Sequence, residues 1–298
     1  MPLASEDLLV PAALLRLRAQ RIVVKLGGSI QDDPARLALV ARDVALLNTM
    51  GARVVVVHGG GKAISAAMTS AGIPVRFVAG QRYTDVATLR VAERVLCRVV
   101  NPQLVGLIAD AGAPALGLHS LGSCVLSARR TTDTGKPGDP PVDLGLVGRV
   151  PVEGVATAIL DGLTLQGLVP VVAPIAMDLD PDALEPAKLN VNADLAAGTV
   201  ARALRADRFI MVSDTRGVRT DPKDPTTALA TLTPAQIKPL ITLGAIDGGM
   251  LPKLQGCLEA LDAGCRLVCI IDGQVPLATL AAALEHADTP GTWIRGGA

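Results

Sequence analysis

Two lysines, one carboxylate and three glycine runs carry most of the chemistry open to this chain. Lys25-Leu26-Gly27-Gly28-Ser29 follows the apolar run Ile22–Leu26, and His58-Gly59-Gly60-Gly61-Lys62 follows the run Arg53–His58. Successive glycines let backbone N–H groups approach an anion closely, and a following helix adds its positive end. A single such turn reads as easily as a tight strand-to-helix connection, but two behind neighbouring strands favour an anion site. The third run is Asp247-Gly248-Gly249-Met250-Leu251-Pro252-Lys253. Here Pro252 predicts a helix start and puts Lys253 in the first turn, where a cation opposes the helix dipole at ~0.3–1 kcal/mol. A bound anion would account for that placement; a solvated lysine is the plain alternative. Lys25, at the end of an apolar strand, needs an anionic partner because an unpaired ammonium is costly there. Asn190-Val191-Asn192-Ala193-Asp194 opens a helix reaching about Leu204, with Asn192 as N-cap. Asp194 then either serves the helix N-terminus or pairs with the lysines. Ser213-Asp214-Thr215-Arg216-Gly217 follows another apolar run and reads equally as a turn or a ligand loop.

Familiar glycine motifs do not fit. The third glycine of a dinucleotide fingerprint falls on Ile64, and the hydroxyl that ends a phosphate-binding loop is replaced by Ala63. His58-Gly59-Gly60-Gly61 looks like a lipase oxyanion segment, but the chain has no G-x-S-x-G nucleophile elbow. His58, His119 and His286 are scattered, so no general base stands out. Lysines, a carboxylate and glycine loops without a base suit phosphoryl transfer, which depends on positioning and charge stabilisation. They suit best an acceptor already ionised at pH 7, such as a carboxylate of pKa ~4.3.

The elements that must hold these residues follow from the hydrophobic pattern. Ile22–Leu26, Arg53–His58, Val169–Ile175, Phe209–Ser213 and Arg266–Ile271 are continuously apolar, as strands covered on both faces should be. Asp33-Pro34 predicts an N-cap and first helical residue, with Leu37, Val40, Ala41, Val44 and Leu47 on one face. Thr233-Pro234-Ala235-Gln236 combines a capping box with the same proline. Alternating strands and helices predict an α/β fold, a three-layer αβα sandwich around a mostly parallel sheet. In such sheets ligands sit beyond the carboxyl ends of the strands, where the glycine runs lie. Arg129–Asp143 reads as a loop or hairpin tip, and Asp178–Pro186 as a break near the middle of the chain. The expected organisation is an extension over 1–20, with a possible short helix after Pro11, an N-terminal lobe over 21–178 and a C-terminal lobe over 179–298.

Lys+Arg and Asp+Glu each number 28 in 298 residues, and aromatics make up 1%, so there is neither a basic stripe nor stacking rings for nucleic acid. The apolar runs stop well short of the ~20 residues of a spanning helix, and the N-terminus lacks a cationic leader, so a cytoplasmic protein without membrane contact is expected. Five cysteines with no CxxC pair are expected to be buried, reduced thiols.

The chain resembles the amino-acid kinase family, in particular its acetylglutamate-phosphorylating branch, over roughly residues 20–295. The ordered motifs are VVKLGGS (23–29), VVHGGG (56–61), GQRYTD (80–85), VVNPQLVGLI (99–108), DLGLVG (143–148), LNVNAD (189–194), SDTRGV (213–218) and GGMLPK (248–253). The resemblance implies ATP-dependent phosphorylation of the side-chain carboxylate of N-acetyl-L-glutamate, in arginine biosynthesis. It gives Lys25 and Lys253 the transferring phosphoryl group and the leaving ADP, with Asp194 holding both lysines. Gly27, Gly28, Gly60 and Gly61 would donate backbone hydrogen bonds, the last two near the acyl substrate and γ-phosphate. Arg82 would grip the α-carboxylate and Asn190 contact the substrate. Ser213, Asp214, Gly217 and Asp247 fall where the family holds ATP. The resemblance implies no metal site on the protein, since magnesium is held mainly by the nucleotide phosphates, and a homodimer as the expected assembly. Lys62 stands where the family commonly has proline. The tail 283–292 matches only the end of the motif carried by arginine-inhibited relatives, so feedback inhibition and a hexamer are not implied. Sister kinases acting on N-acetyl-aminoadipate or glutamate, and a non-catalytic ligand sensor, are the alternatives.

Overall fold

The five apolar runs become neighbours in the middle of one sheet. The computed structural model describes residues 15–27, 30, 33–78, 80–134, 139–183, 187–221, 223–242, 246 and 248–296. The expectations for residues 1–14, Gly28 and Asp247 lie outside these. Along the described chain run β1 (Arg21–Leu26), β2 (Arg53–His58), β3 (Phe77–Val78), β4 (Gln81–Arg82), β5 (Ala115–Leu118), β6 (Ser127–Arg130) and β7 (Val147–Arg149). There follow β8 (Val169–Val172), β9 (Ile175–Asp178), β10 (Lys188–Val191), β11 (Arg208–Ser213), β12 (Thr231–Leu232), β13 (Leu267–Asp272) and β14 (Gly291–Ile294). The main sheet has eight strands in the order β12-β14-β13-β11-β1-β2-β8-β5. Neighbours from β13 to β5 are parallel, and β14 joins β13 antiparallel.

Each central strand serves two cores, which is why its sequence is apolar throughout. Val23, Val55 and Val57 pack on one face with Leu160, Ala197, Val200 and Leu254. Ile22, Val24, Val54 and Val56 pack on the other with Leu37, Val44, Leu104 and Ile108. The helix Pro34–Thr49 begins as read, Asp33 accepting from the Ala35 and Arg36 N–H groups. Its five expected apolar residues are all buried, and so is Asp43, whose carboxylate accepts from the N–H groups of Thr279 and Leu280. At Thr233 the Gln236 side chain caps the Thr233 N–H, while the threonine hydroxyl donates to the same Gln236 oxygen.

Three readings are corrected. The run Val169–Ile175 is two strands, because the chain leaves the main sheet at Ala173-Pro174, where a proline has no N–H to continue the ladder. β9 then joins a closed four-stranded barrel with β10, β7 and β6. Arg129 and Arg130 are strand residues paired antiparallel with β7, so the segment read as a loop or hairpin tip starts after Arg130 rather than at Arg129. The helix expected to start at Pro252 runs Met250–Asp262, with Pro252 still in the first turn, where its missing N–H costs nothing. All five cysteines are free and four are buried, Cys124 being half-buried. Among the described residues no helix is long and apolar enough to cross a membrane.

Candidate active site

β1 and β2 deliver their glycine runs to the same end of the sheet. The Gly27 N–H donates to Val212 O and the Gly59 N–H to Leu26 O, each extending the ladder by one bond. Gly27 is therefore committed to the sheet, contrary to the expectation that its amide donates to a ligand. Gly60 and Gly61 differ: among the described residues their N–H groups have no backbone acceptor, and they open the helix Gly61–Ser70.

Lys25 lies on β1, 3% exposed, with its Nζ 2.5 Å from Asp194 Oδ1. Lys253 Nζ donates to Asp194 Oδ2 at 3.2 Å, so one carboxylate bridges two ammonium groups. Asn192 caps the helix Ala193–Ala203 through the Asp194 and Leu195 N–H groups, which frees the Asp194 side chain to face the lysines. The helix of Lys253 is brought in by glycine. A Cβ on Gly198 would stand 2.5 Å from the Gly256 Cα, and one on Gly256 would stand 2.5 Å from the Asp194 carbonyl oxygen. Burial pulls the Lys25 ammonium below its usual range; Asp194 opposes the shift and Lys253 reinforces it. Burial alone would raise Asp194, but Lys25 and Lys253 together hold it below the ordinary carboxylate range.

These groups line a cleft of about 640 Å³ that also contains Gly60, Gly61, Arg82, Asn190 and Asp214. Arg82, on β4, donates to Gly61 O and Ser65 Oγ, both at 2.8 Å, and lies over the Phe77 ring at 4.9 Å. Among the described residues no carboxylate pairs with it, and burial lowers its pKa. Asn190, on β10, donates to Thr84 Oγ1 at 3.1 Å, and Thr84 in turn donates to Arg82 O. The described lining includes neither histidine nor cysteine. A concave site with paired ammoniums, a desolvated guanidinium and free backbone N–H groups is built to hold anions. Asp194 is engaged by both lysines, leaving Asp214 as the other carboxylate of the cleft, and no group of three His, Cys, Asp or Glu side chains among the described residues could hold a metal.

A family model described as the amino acid kinase family matches residues 20–272. This chain belongs to the amino acid kinase family. It is 40% identical over 266 residues to an acetylglutamate kinase of Methanothrix thermoacetophila, covering 89% of each chain. It is 42% identical over 287 residues to one from Gluconacetobacter diazotrophicus, covering 95% of this chain and 88% of the relative. In fold it is similar to N-acetylglutamate synthase from Neisseria gonorrhoeae, at a TM-score of 0.80 and 19% identity, covering 99% of this chain and 64% of that one. The α/β fold and the kinase class expected from the motifs are thereby borne out.

Within this family member, the residues expected from sequence divide by position. Lys25, Gly60, Gly61, Arg82, Asn190, Asp194, Asp214 and Lys253 line one cleft. Ser213 and Gly217 do not line it. Ser213 is buried beside Asp214, its hydroxyl donating to Asp214 Oδ1 at 3.3 Å. Gly217 has φ +74, and a Cβ there would collide with Thr292 Oγ1, so its glycine serves the approach of β14. The structure adds Gln81, Asn192, Phe77 and Leu96 to the lining. Gln81 and Asn192 were within reach of sequence reasoning, each adjoining or belonging to a quoted motif; Phe77 and Leu96 carry no local signal.

Proposed function

We propose that the chain catalyses ATP-dependent phosphorylation of the side-chain carboxylate of N-acetyl-L-glutamate, giving an acyl phosphate for arginine biosynthesis. The observation that carries this reading is the single cleft containing both the Lys25–Asp194–Lys253 bridge and the Arg82–Asn190 pair. The acyl amino acid docks against residues of 21–178 together with Asn190, and the nucleotide against 179–298. Arg82 receives the α-carboxylate, a bidentate task that suits guanidinium. The side-chain carboxylate, ionised at pH 7, attacks the γ-phosphorus in line while ADP departs. Lys25 and Lys253 spread the charge that builds on the transferring group and the leaving oxygen. Asp194 keeps the two ammonium groups from separating, and the Gly60 and Gly61 N–H groups donate to phosphoryl oxygens. Gly28, Asp214 and Asp247 contribute to the nucleotide site, with Ser213 and Gly217 shaping its strand end. Magnesium enters with the nucleotide phosphates, in keeping with a cleft whose Asp194 is already engaged by both lysines.

The enzyme is proposed to work in the cytoplasm as a homodimer. Among the described residues β5 ends the sheet, and this edge, with Leu116 exposed on it, supports the dimer. Hydroxylamine trapping of the acyl phosphate tests the substrate across N-acetylglutamate, glutamate and N-acetyl-aminoadipate. N-acetylglutamate is expected to be preferred; preference for either of the others, or no product from any, overturns the assignment. Light scattering of the purified chain tests the dimer, and a monomer refutes it.

A further inference from the structure

His58 ends β2 with its side chain fully buried, outside the cleft and unused by the chemistry above. Its Nε2 lies 3.1 Å from Asn101 Nδ2, and the same Nδ2 donates to Val171 O at 2.8 Å. A carbonyl only accepts, so the atom facing Val171 is the amide nitrogen, Nε2 is the bare acceptor, and the ring proton sits on Nδ1. That proton is donated to Gly59 O at 2.8 Å, the first carbonyl of the glycine run. Burial keeps the ring neutral by pushing its pKa down to about 4, so the tautomer holds throughout the neutral range.

Asn101 reaches His58 because of a π turn at Leu96–Val100. In an α-helix, residues five apart point roughly 140° away from each other. The wider i→i+5 turn brings them to one side. Leu96 and Asn101 are five apart, and both face the glycine run. A Cβ on Gly60 would stand 2.6 Å from Leu96 Cδ2, while Asn101 holds His58.

We propose that His58, locked in one tautomer by Asn101 and backed by the π turn, is a positioning residue that aims the Gly60 and Gly61 N–H groups into the cleft. The consequence for turnover rests on the phosphoryl-transfer reading above; the tautomer and the loop geometry do not.

Two measurements test it. Nitrogen chemical shifts of the labelled His58 ring are expected to report Nδ1–H from pH 6 to 9, and an Nε2–H ring overturns the proposal. In the kinetic arm, His58→Leu removes the bond to Gly59 O. Its kcat is expected to fall about 10- to 100-fold with the KM for ATP changed by less than about twofold, since donors displaced by ~1 Å cost that much. His58→Asn, whose amide can stand where Nδ1 stood, should recover about tenfold of that loss. A folded Leu variant with a lowered melting temperature but unchanged kcat refutes positioning and leaves only a packing role. If His58→Leu does not fold, Asn101→Ala takes its place. It frees the ring to exchange tautomers, and unchanged kcat together with an unchanged ring spectrum refutes the proposal. Should the wild type phosphorylate no carboxylate, the functional reading fails on its own. The ring shifts and the Gly60 and Gly61 amide shifts then still decide whether His58 sets the loop.

Discussion

Asp194→Asn removes one charge and leaves the buried Lys25 ammonium and the half-buried Lys253 ammonium facing an amide. At an effective dielectric of about 20, Asp194 attracts Lys25 at 2.5 Å and Lys253 at 3.2 Å by roughly 5–7 kcal/mol each before desolvation. Net of desolvation, stranding a buried charge by removing its partner costs ~3–5 kcal/mol, a large part of a total stability of ~5–15 kcal/mol. Lys25 can escape part of this cost by losing its proton. Burial already lowers its pKa, and Asp194 is the group that opposes burial most strongly. A lysine whose folded pKa lies below its unfolded value binds fewer protons folded than unfolded, so stability rises with pH across the interval between the two values. Removing Asp194 widens that interval downward. The variant is therefore expected to gain stability relative to wild type as pH rises from 7 to 9, measured by urea unfolding. Activity must move the opposite way, because neutral Lys25 cannot stabilise phosphoryl charge. Its kcat is expected to fall about 100- to 1,000-fold at pH 7, and its alkaline limb to shift to lower pH. A variant with wild-type kcat, or with stability and activity both rising toward pH 9, would refute the reasoning.

Other outcomes follow from single contacts. Arg82→Lys keeps the charge but loses the planar fork and its bonds to Gly61 O and Ser65 Oγ, so the KM for the acyl substrate should rise about 10- to 100-fold. Initial rates should give the KM for ATP within about twofold of wild type; equal rises in both constants would detach Arg82 from the acyl site. Burial pushes Asp43 up to about 6, above its unfolded value, so its ionised form costs stability near neutrality and protonation relieves that cost as pH falls below 6. Asp43→Asn retains an acceptor for the Thr279 and Leu280 N–H groups and should be as stable as wild type or up to ~2 kcal/mol more stable at pH 8, with the gain shrinking at pH 5. Loss of more than ~2 kcal/mol at pH 8 would show that the charge itself is needed. Gly198→Val forces the helices of Asp194 and Lys253 apart and should cost ~1–3 kcal/mol in thermal unfolding, with a kcat loss beyond what unfolding explains. Wild-type kcat in that variant would mean that the close helix contact does not set Lys253.

Much of the fold is written locally. The five apolar runs are the five central strands because covering on both faces selects residues on both sides of each strand, as Val54 and Val56 against Val55 and Val57 illustrate. Asp33 and Asn192 cap helices by accepting from N–H groups two and three residues on, a pairing that needs no distant partner. The break at Pro174 was less legible. A buried strand and the start of another look alike until the barrel takes the second one away. Likewise Gly217 reads equally as a turn or a ligand loop in sequence, and the approach of Thr292 from β14 gives its glycine a packing cause that neither reading contained.

What the sequence determined by itself was the residue inventory and its placement at strand and helix ends, since capping, strand burial and glycine turns are short-range physics. Three facts needed the tertiary structure: the distances at which Asp194 bridges Lys25 and Lys253, that Gly27 spends its N–H on Val212, and that the His58 ring is buried against Asn101. Each joins residues between 43 and 185 positions apart along the chain. Such pairings depend on which strands lie side by side and how closely two helices can approach, and no local pattern encodes either.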